Sequence, residues 1–324
     1  MIIAVTPNPA VDVTYRTETI ELGGVNRVAA SKLPGGKGIN VARVVTELGD
    51  APVAAGILAG DAGAFIAHGL EHMGIAANWT WHPGETRSTI NVLTADGEST
   101  MFNEAGPAPT PETWAALIDS ITVQIQLAKD AEPTGSPTIV VTLSGSLPPG
   151  VSGDQFAALM AAARAATHVI VDVSGPALLL AAAAGVSLLK PNSDELLAAT
   201  GAESVEDGIE QLLNLGAHAI ALSLGEDGMH LITRDARYAA RPTEVIVGNP
   251  TGAGDAAVAA FAHHLNQYPG PNPFADPDFV GRALPSAVAL SAAAVAAPGA
   301  GEYDQKTYAA MRPAITLEHV NATR

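Results

Sequence analysis

Cysteine is absent from the 324 residues, which removes disulfide frameworks and thiolate metal sites and suits a reducing compartment. Aromatic residues make up only 4%, leaving little material for stacking platforms. Positive charge is short as well: 16 Lys and Arg stand against 33 Asp and Glu, a formal charge of −17, and the lysines are only Lys32, Lys37, Lys129, Lys190 and Lys306. That balance argues against a nucleic-acid partner, whose phosphates need clustered cations. Long hydrophobic runs are missing too. The longest apolar stretch, residues 286–297, falls short of the ~18–20 residues of a spanning helix. Residues 1–6 lack the basic start of a signal peptide and soon meet Pro7 and Pro9. The expectation is a cytoplasmic protein with no membrane partner.

Apolar residues, by contrast, reach 48%, enough for a substantial core in one large α/β domain or two smaller ones. Residues 2–6 are a short β-prone run ending at prolines, as a buried strand does. Segments 11–15 and 26–31 alternate like half-exposed strands. Pro34-Gly35-Gly36-Lys37-Gly38 reads as a tight turn before a helix over 39–49. A strand over 52–58 and a helix over 62–73 follow. Residues 78–102 carry β texture broken at Ala95-Asp96-Gly97-Glu98, a hairpin signal. Farther on, apolar runs at 138–143, 168–173, 186–189 and 217–222 alternate with helical stretches at 155–165, 177–184, 194–200 and 205–215. Such runs predict a mostly parallel central sheet with helices on both faces and ligands at the carboxyl ends of its strands. Residues 131–137 and 269–277 read as surface loops. No linker divides the chain, so a single domain over 1–324 is expected, with a small β lid from segments near 12–31 and 86–103.

The segment Asn249-Pro250-Thr251-Gly252-Ala253-Gly254-Asp255 carries the most chemistry. Two glycines around a small residue let backbone N–H groups converge, and a helix over 256–265 points its positive end at the same place, which makes an anion site. An aspartate there can take a proton from a hydroxyl beside a bound phosphate while the N–H groups stabilise a phosphoryl group in flight. Two other readings share these residues. Gly252-x-Gly254-x-x-Ala257 satisfies the Rossmann dinucleotide fingerprint, yet Asp255 would face the pyrophosphate and the helix runs into a loop instead of a second strand. A plain loop-to-helix turn, with Asp255 compensating the helix dipole, needs no ligand. Among so few cations, Lys37 in its glycine loop gains weight as a phosphate contact.

The order of the turns separates these readings. Thr6-Pro7-Asn8-Pro9-Ala10-Val11-Asp12, Gly35-Gly36-Lys37-Gly38-Ile39-Asn40, Thr86-Arg87, Ser144-Gly145-Ser146-Leu147-Pro148, Lys190-Pro191-Asn192-x-x-Glu195, Ser223-Leu224-Gly225 and Thr251-Gly252-Ala253-Gly254-Asp255 span nearly the whole chain. In that order the sequence resembles the PfkB, or ribokinase-like, carbohydrate kinases. It is most similar to their hexose-phosphate branch, 1-phosphofructokinase and tagatose-6-phosphate kinase, which Phe102-Asn103-Glu104-Ala105-Gly106-Pro107 also matches. The resemblance implies a ribokinase-like α/β fold, ATP and Mg²⁺ as cofactors, a sugar phosphate as substrate and, because such lids pair subunits, a homodimer.

On the acceptor side the resemblance implies that Asp12 and Asn40 bind sugar hydroxyls and that Gly35 and Gly36 let the sugar approach the backbone. Lys37 and Arg87 would hold a phosphate already on the acceptor, cations from which a kinase for free ribose would gain little. The plainer alternatives are solvated charge for each cation and a turn residue for Asp12. On the donor side, phosphates would lie against Gly252, Ala253 and Gly254, near Thr251 and Lys190. Asn192 and Glu195 would order Mg²⁺ mostly through water, although the same pair can simply cap a helix. Ser223, Gly225 and Gly228 would line the nucleotide groove, and a small-residue helix over 287–297 would leave room for adenine. Asp255 would be the general base. Lys37 has no Ser or Thr after it, so the phosphate cradle is not a P-loop.

The reaction implied is fructose 1-phosphate to fructose 1,6-bisphosphate, with tagatose 6-phosphate and fructose 6-phosphate as alternative acceptors. A non-catalytic sugar-phosphate sensor would be expected to lose the base or the glycines, and both are present. Asn249 stands where many members carry Asp. Two motif matches are set aside: His68-Gly69-Leu70-Glu71-His72 fits a solvent-facing helix better than a zinc site, and Ser187-Leu188-Leu189-Lys190 reads as a strand.

Overall fold

Uninterrupted apolar runs become strands buried on both faces. In the computed structural model, which describes residues 1–96, 98–131 and 137–320, the first is β1 (Ile2–Thr6): Ile3 and Val5 pack on one side, Ile2 and Ala4 on the other. β2 (Ala10–Thr17), β3 (Ala29–Gly35), α1 (Lys37–Glu47), β4 (Val53–Leu58), α2 (Gly60–His72), β5 (Ala76–Trp81), β6 (Arg87–Thr94), β7 (Ser99–Asn103) and α3 (Pro111–Ala131) follow. Then come β8 (Val140–Ser144), α4 (Gly153–Ala163), β9 (His168–Asp172), α5 (Pro176–Ala183), β10 (Leu188–Leu189), α6 (Ser193–Thr200), α7 (Val205–Leu215) and β11 (Ile220–Ser223). The last elements are β12 (Met229–Ile232), β13 (Arg237–Ala240), α8 (Ala253–Asn266), α9 (Pro277–Val295), α10 (Gln305–Met311) and β14 (Leu317–His319).

Among the described residues ten strands form one sheet in the order β14-β13-β12-β11-β10-β9-β8-β1-β4-β5. From β11 to β5 neighbouring strands run parallel, while β12, β13 and β14 close one edge antiparallel. One face packs on α8 and α9 through Phe261, Val258, Phe279 and Leu290; the other packs on α3, α4, α5 and α7 through Trp114, Phe156, Leu178 and Leu212. This is the mostly parallel, doubly covered sheet expected from the apolar runs. β3, β2, β6 and β7 form a separate four-stranded sheet, and α2 contacts both sheets through Ile66 and Leu70.

Several boundaries differ from the sequence reading, each for a physical reason. Residues 34–38 are not a free turn: pairing of Val11 with Pro34 and Ala10 with Gly35 extends β3, and only Gly36, at φ 111°, turns the chain into α1. The β texture of 78–102 is shared between sheets, because β5 continues the parallel register of β4 whereas β6 and β7 make the hairpin. Gly97 of the expected turn signal lies outside the described residues, as do 132–136 of the expected loop over 131–137. The small-residue helix starts at Pro277, ahead of residue 287, within the expected 269–277 loop. At 19 residues, it is the one described helix long and apolar enough to cross a membrane; most of it is buried against α8 and its neighbours.

Candidate active site

The carboxyl ends of β1, β8, β9 and β10 meet the first turns of α1 and α8 in a cleft of about 780 Å³. Asp12, Gly36, Lys37, Asn40, Arg87, Lys190, Asn192, Glu195, Ser223, Thr251, Gly252, Gly254 and Asp255 all line it. A second hollow of about 530 Å³, bounded by Gly225, Gly228, Ala253 and Val288, adjoins it across Asn192, Ser223, Pro250 and Gly254. Gly35 lies behind Asp12 and does not reach the cleft: a Cβ there would fall 2.1 Å from the Asp12 carboxylate carbon.

Gly252 caps α8 with φ 92°, a left-handed conformation that favours glycine. The Ala253 N–H donates to the Pro250 carbonyl at 3.2 Å, whereas among the described residues the N–H groups of Gly252 and Gly254 have no partner and are open to a ligand. Asp255 follows in the first turn, 4% exposed, and its Oδ2 accepts a 2.8 Å hydrogen bond from Asn40 Nδ2. Burial pushes its carboxyl up to about 7; Lys37 opposes that rise and Asp172 adds to it. A carboxyl balanced near neutrality is suited to accept a proton from a hydroxyl.

Asp172, at the carboxyl end of β9, is fully buried between two lysines. Lys37 Nζ lies 3.3 Å from both of its oxygens and 3.9 Å from Glu195, and Lys190 Nζ lies 3.6 Å from Asp172 Oδ1. Burial works against the Asp172 charge, but Lys190 and Lys37 outweigh it and hold the carboxyl below its ordinary range. Asp172 in turn raises the Lys37 ammonium against the effect of burial. A Cβ on Gly254 would sit 3.1 Å from Lys190 Nζ, so that ammonium also borders the anion turn.

At the far end of the cleft Arg87 opens β6. Its Nε donates to the Asn8 carbonyl (3.2 Å) and its Nη1 to the Glu104 carbonyl (3.1 Å); among the described residues Nη2 has no protein partner. Backbone carbonyls thus aim the guanidinium, and among the described residues no carboxylate pairs with it within 4 Å, although Asp12 and Glu104 support its charge from farther off; the arrangement is open to an anion. Asp12 pairs with Thr89 across β2 and β6 and accepts a hydrogen bond from its hydroxyl; burial lifts its carboxyl. Asn8, which sequence reasoning gave no role, also lines the cleft and donates to the Ala105 carbonyl at 3.0 Å.

Asn192 and Glu195 form a reciprocal capping box at α6: Asn192 Oδ1 accepts from the Glu195 N–H at 2.8 Å and Glu195 Oε2 from the Asn192 N–H at 3.0 Å. The capping alternative is therefore realised, and Glu195 Oε1 remains directed toward Lys37. Thr251 is held by its own turn, its N–H donating to Asn249 Oδ1 at 3.0 Å.

The profile of the pfkB family carbohydrate kinases matches residues 8–307. The chain belongs to that family. Among solved structures it is similar to phosphofructokinase-2 of Escherichia coli in complex with potassium, at 27% identity over 97% of this chain and 98% of that one, with a TM-score of 0.83. The same enzyme in complex with fructose-6-phosphate matches at 28% identity over 96% and 98% of the two chains, TM-score 0.80. A Thermotoga maritima protein described as a possible 1-phosphofructokinase shares the fold at 23% identity over 99% and 100%, TM-score 0.82.

For a carbohydrate kinase of this family, the cleft supplies little for a metal cage. No group of three or more His, Asp or Glu that could hold a metal occurs among the described residues, and one Glu195 oxygen is committed to its cap. The other Glu195 oxygen, 3.9 Å from the Lys37 ammonium, fits only a hydrated Mg²⁺ carried mainly by nucleotide phosphates, which keeps most of its waters. His68 and His72 are exposed, and His72 Nδ1 is bonded to the His68 carbonyl. Sequence reasoning gives Asp172 no role; its one signal is a carboxylate at the end of the apolar run over 168–173.

Proposed function

We propose that this carbohydrate kinase transfers the γ-phosphoryl group of ATP to a sugar phosphate, converting fructose 1-phosphate to fructose 1,6-bisphosphate. The observation that carries the proposal is Asp255: a buried carboxyl pushed up to about 7, next in the chain to Gly254, which borders both a hollow sized for a nucleotide and the cleft that ends in a free arginine N–H. Asp255 accepts the proton of the acceptor hydroxyl as its oxygen attacks the γ-phosphorus, and the bond to the ADP oxygen breaks on the opposite side. The Gly252 and Gly254 N–H groups and the Lys190 ammonium neutralise charge on the moving group. Lys37, held toward Asp172 and Glu195, serves the same group as well as the acceptor. A bound Mg²⁺ would supply further charge neutralisation at the donor phosphates.

Ser223, Gly225 and Gly228 border the adenosine end, with the small residues Val288, Ser291 and Ala292 of α9 opposite. Asp12, Asn40 and Asn8 offer acceptors and donors to sugar hydroxyls, and Arg87 receives the phosphate the acceptor already carries. The four-stranded sheet contributes Asp12, Arg87 and Asn103 to the cleft and acts as a lid that excludes water, limiting ATP hydrolysis. Its outer face pairs two copies in a homodimer.

Fructose 6-phosphate is the second reading, favoured by the 28% identical neighbour that binds it. An ADP-release assay across fructose 1-phosphate, tagatose 6-phosphate, fructose 6-phosphate and ribose orders the acceptors by kcat/KM. Fructose 1-phosphate is expected first; ribose in first place would overturn the phosphorylated-acceptor reading.

A further inference from the structure

α1 delivers Lys37 and Asn40 to the cleft, and one helical turn beyond Asn40 it carries Arg43, which touches no part of the cleft. Arg43 is a 6% exposed cation in a protein with few cations. Its Nη1 donates to the Ala300 carbonyl at 2.8 Å and its Nη2 to Glu302 Oε1 at 2.7 Å, pinning the connection from α9 to α10 at two points. That connection backs the anion turn: a Cβ on Gly252 would lie 3.1 Å from Ala300 Cα and 3.3 Å from the Gly301 nitrogen. It also backs the base. A Cβ on Gly301 would come within 2.8 Å of both Arg43 Nη1 and Asn40 Oδ1, and Asn40 is the residue bonded to Asp255. The Asn40 Oδ1 atom is itself buried without a partner, so packing against Gly301, and no second hydrogen bond, sets that side of its amide.

We infer that Arg43 is a positioning residue for phosphoryl transfer: its clamp on Ala300 and Glu302 fixes the 298–302 connection as the floor under both Gly252 and Asn40. The inference rests on the kinase reading above and adds a part to it. A planar guanidinium with two donors at fixed spacing can hold a carbonyl and a carboxylate together; an ammonium cannot reproduce that fork. Loss of the clamp lets the floor shift by up to about 1 Å, which displaces the anion-binding N–H groups and the base relative to each other. Misplacement on that scale costs up to about 10²-fold in rate.

The test compares Arg43→Met, Arg43→Lys and Glu302→Gln in the full chain, by steady-state kinetics and by amide hydrogen exchange over residues 250–255. The expected result for Arg43→Met is a kcat lower by about 10- to 100-fold with both KM values within about threefold, and exchange that is faster over 250–255 than over the sheet. Arg43→Lys is expected to recover part of kcat, and Glu302→Gln to fall between Lys and the parent. A folded Arg43→Met protein with parental kcat overturns the inference, as does faster exchange spread evenly over the molecule. If Arg43→Met fails to fold, Arg43→Lys and Glu302→Gln are read by the same criteria. A parent protein that phosphorylates no sugar phosphate defeats the kinase reading, while exchange over 250–255 still decides whether the clamp orders the turn.

Discussion

In its proposed role as base Asp255 must be ionised, and burial sets the pH at which that happens. With its carboxyl pushed up to about 7, kcat/KM should rise as pH increases through about 7 and flatten above it. A limb near the ordinary carboxylate range would contradict the assignment. Asp255→Asn should lower kcat by about 10² to 10⁴-fold with the fold intact, and parental turnover would rule the base out. Stability carries the same signature. The folded value lies above the unfolded one, so the cost of holding the carboxylate is absent at pH below about 3.8, grows as pH rises to about 7, and is constant beyond. Asp255→Asn should therefore melt higher than the parent at pH 8 and not at pH 4; the reverse ordering would contradict the shift. Arg87→Gln should raise KM for phosphorylated acceptors by roughly tenfold or more, with little change for ATP, as loss of a charge-assisted hydrogen bond does. Equal effects on both substrates would move Arg87 from the acceptor to the lid. Residues such as Asp255 and Arg87 stand out in sequence because each sits in a short local pattern. Asp172 and Arg43 do not: their partners Lys37 and Ala300 are 135 and 257 residues away, and only the fold brings them together.

Elements were legible where burial imposes one period along the chain. β1 and α7 appear with the limits that their apolar patterns predict, and β8, β9 and β11 are displaced by one to three residues. What sequence reading missed lies at the edges. β12, β13 and β14 are three or four residues each and owe their existence to antiparallel pairing with neighbours, and α3 was passed over although Trp114, Leu117, Ile121 and Ile125 give it a buried stripe. α8 was recognised through its glycine turn, and there the element can be tested as a unit. Gly252→Ala would place a side chain in the left-handed region, a cost of about 1–2 kcal/mol, and press a methyl group against Ala300 at 3.2 Å. A lower melting temperature accompanied by a large loss of kcat is expected. A fully active, equally stable Gly252→Ala protein would mean that the turn is not held in this conformation during turnover.

At the scale of the molecule, the four-stranded sheet carries several of the large exposed apolar side chains. Leu22 (92% exposed) and Val25 (82%) lie in its β2–β3 connection and Phe102 is exposed on β7, while among the described residues β3 and β7 leave unpaired strand edges. Scattered exposed apolar residues need no explanation, but several on one small sheet with open edges give a second copy something to cover. The −17 charge of each copy opposes that association, so screening should favour it. Light scattering should therefore find a dimer whose dissociation constant falls as salt rises from low to physiological ionic strength. Leu22→Glu with Phe102→Glu should yield a folded monomer, since two charges would enter the apolar face of each partner. If the sheet is also the lid, that monomer should hydrolyse ATP without acceptor faster, relative to its sugar-phosphate turnover, than the dimer does. A parent protein that is monomeric at every salt concentration, or a double variant that remains dimeric, would place the association surface elsewhere and leave the lid to close without a partner.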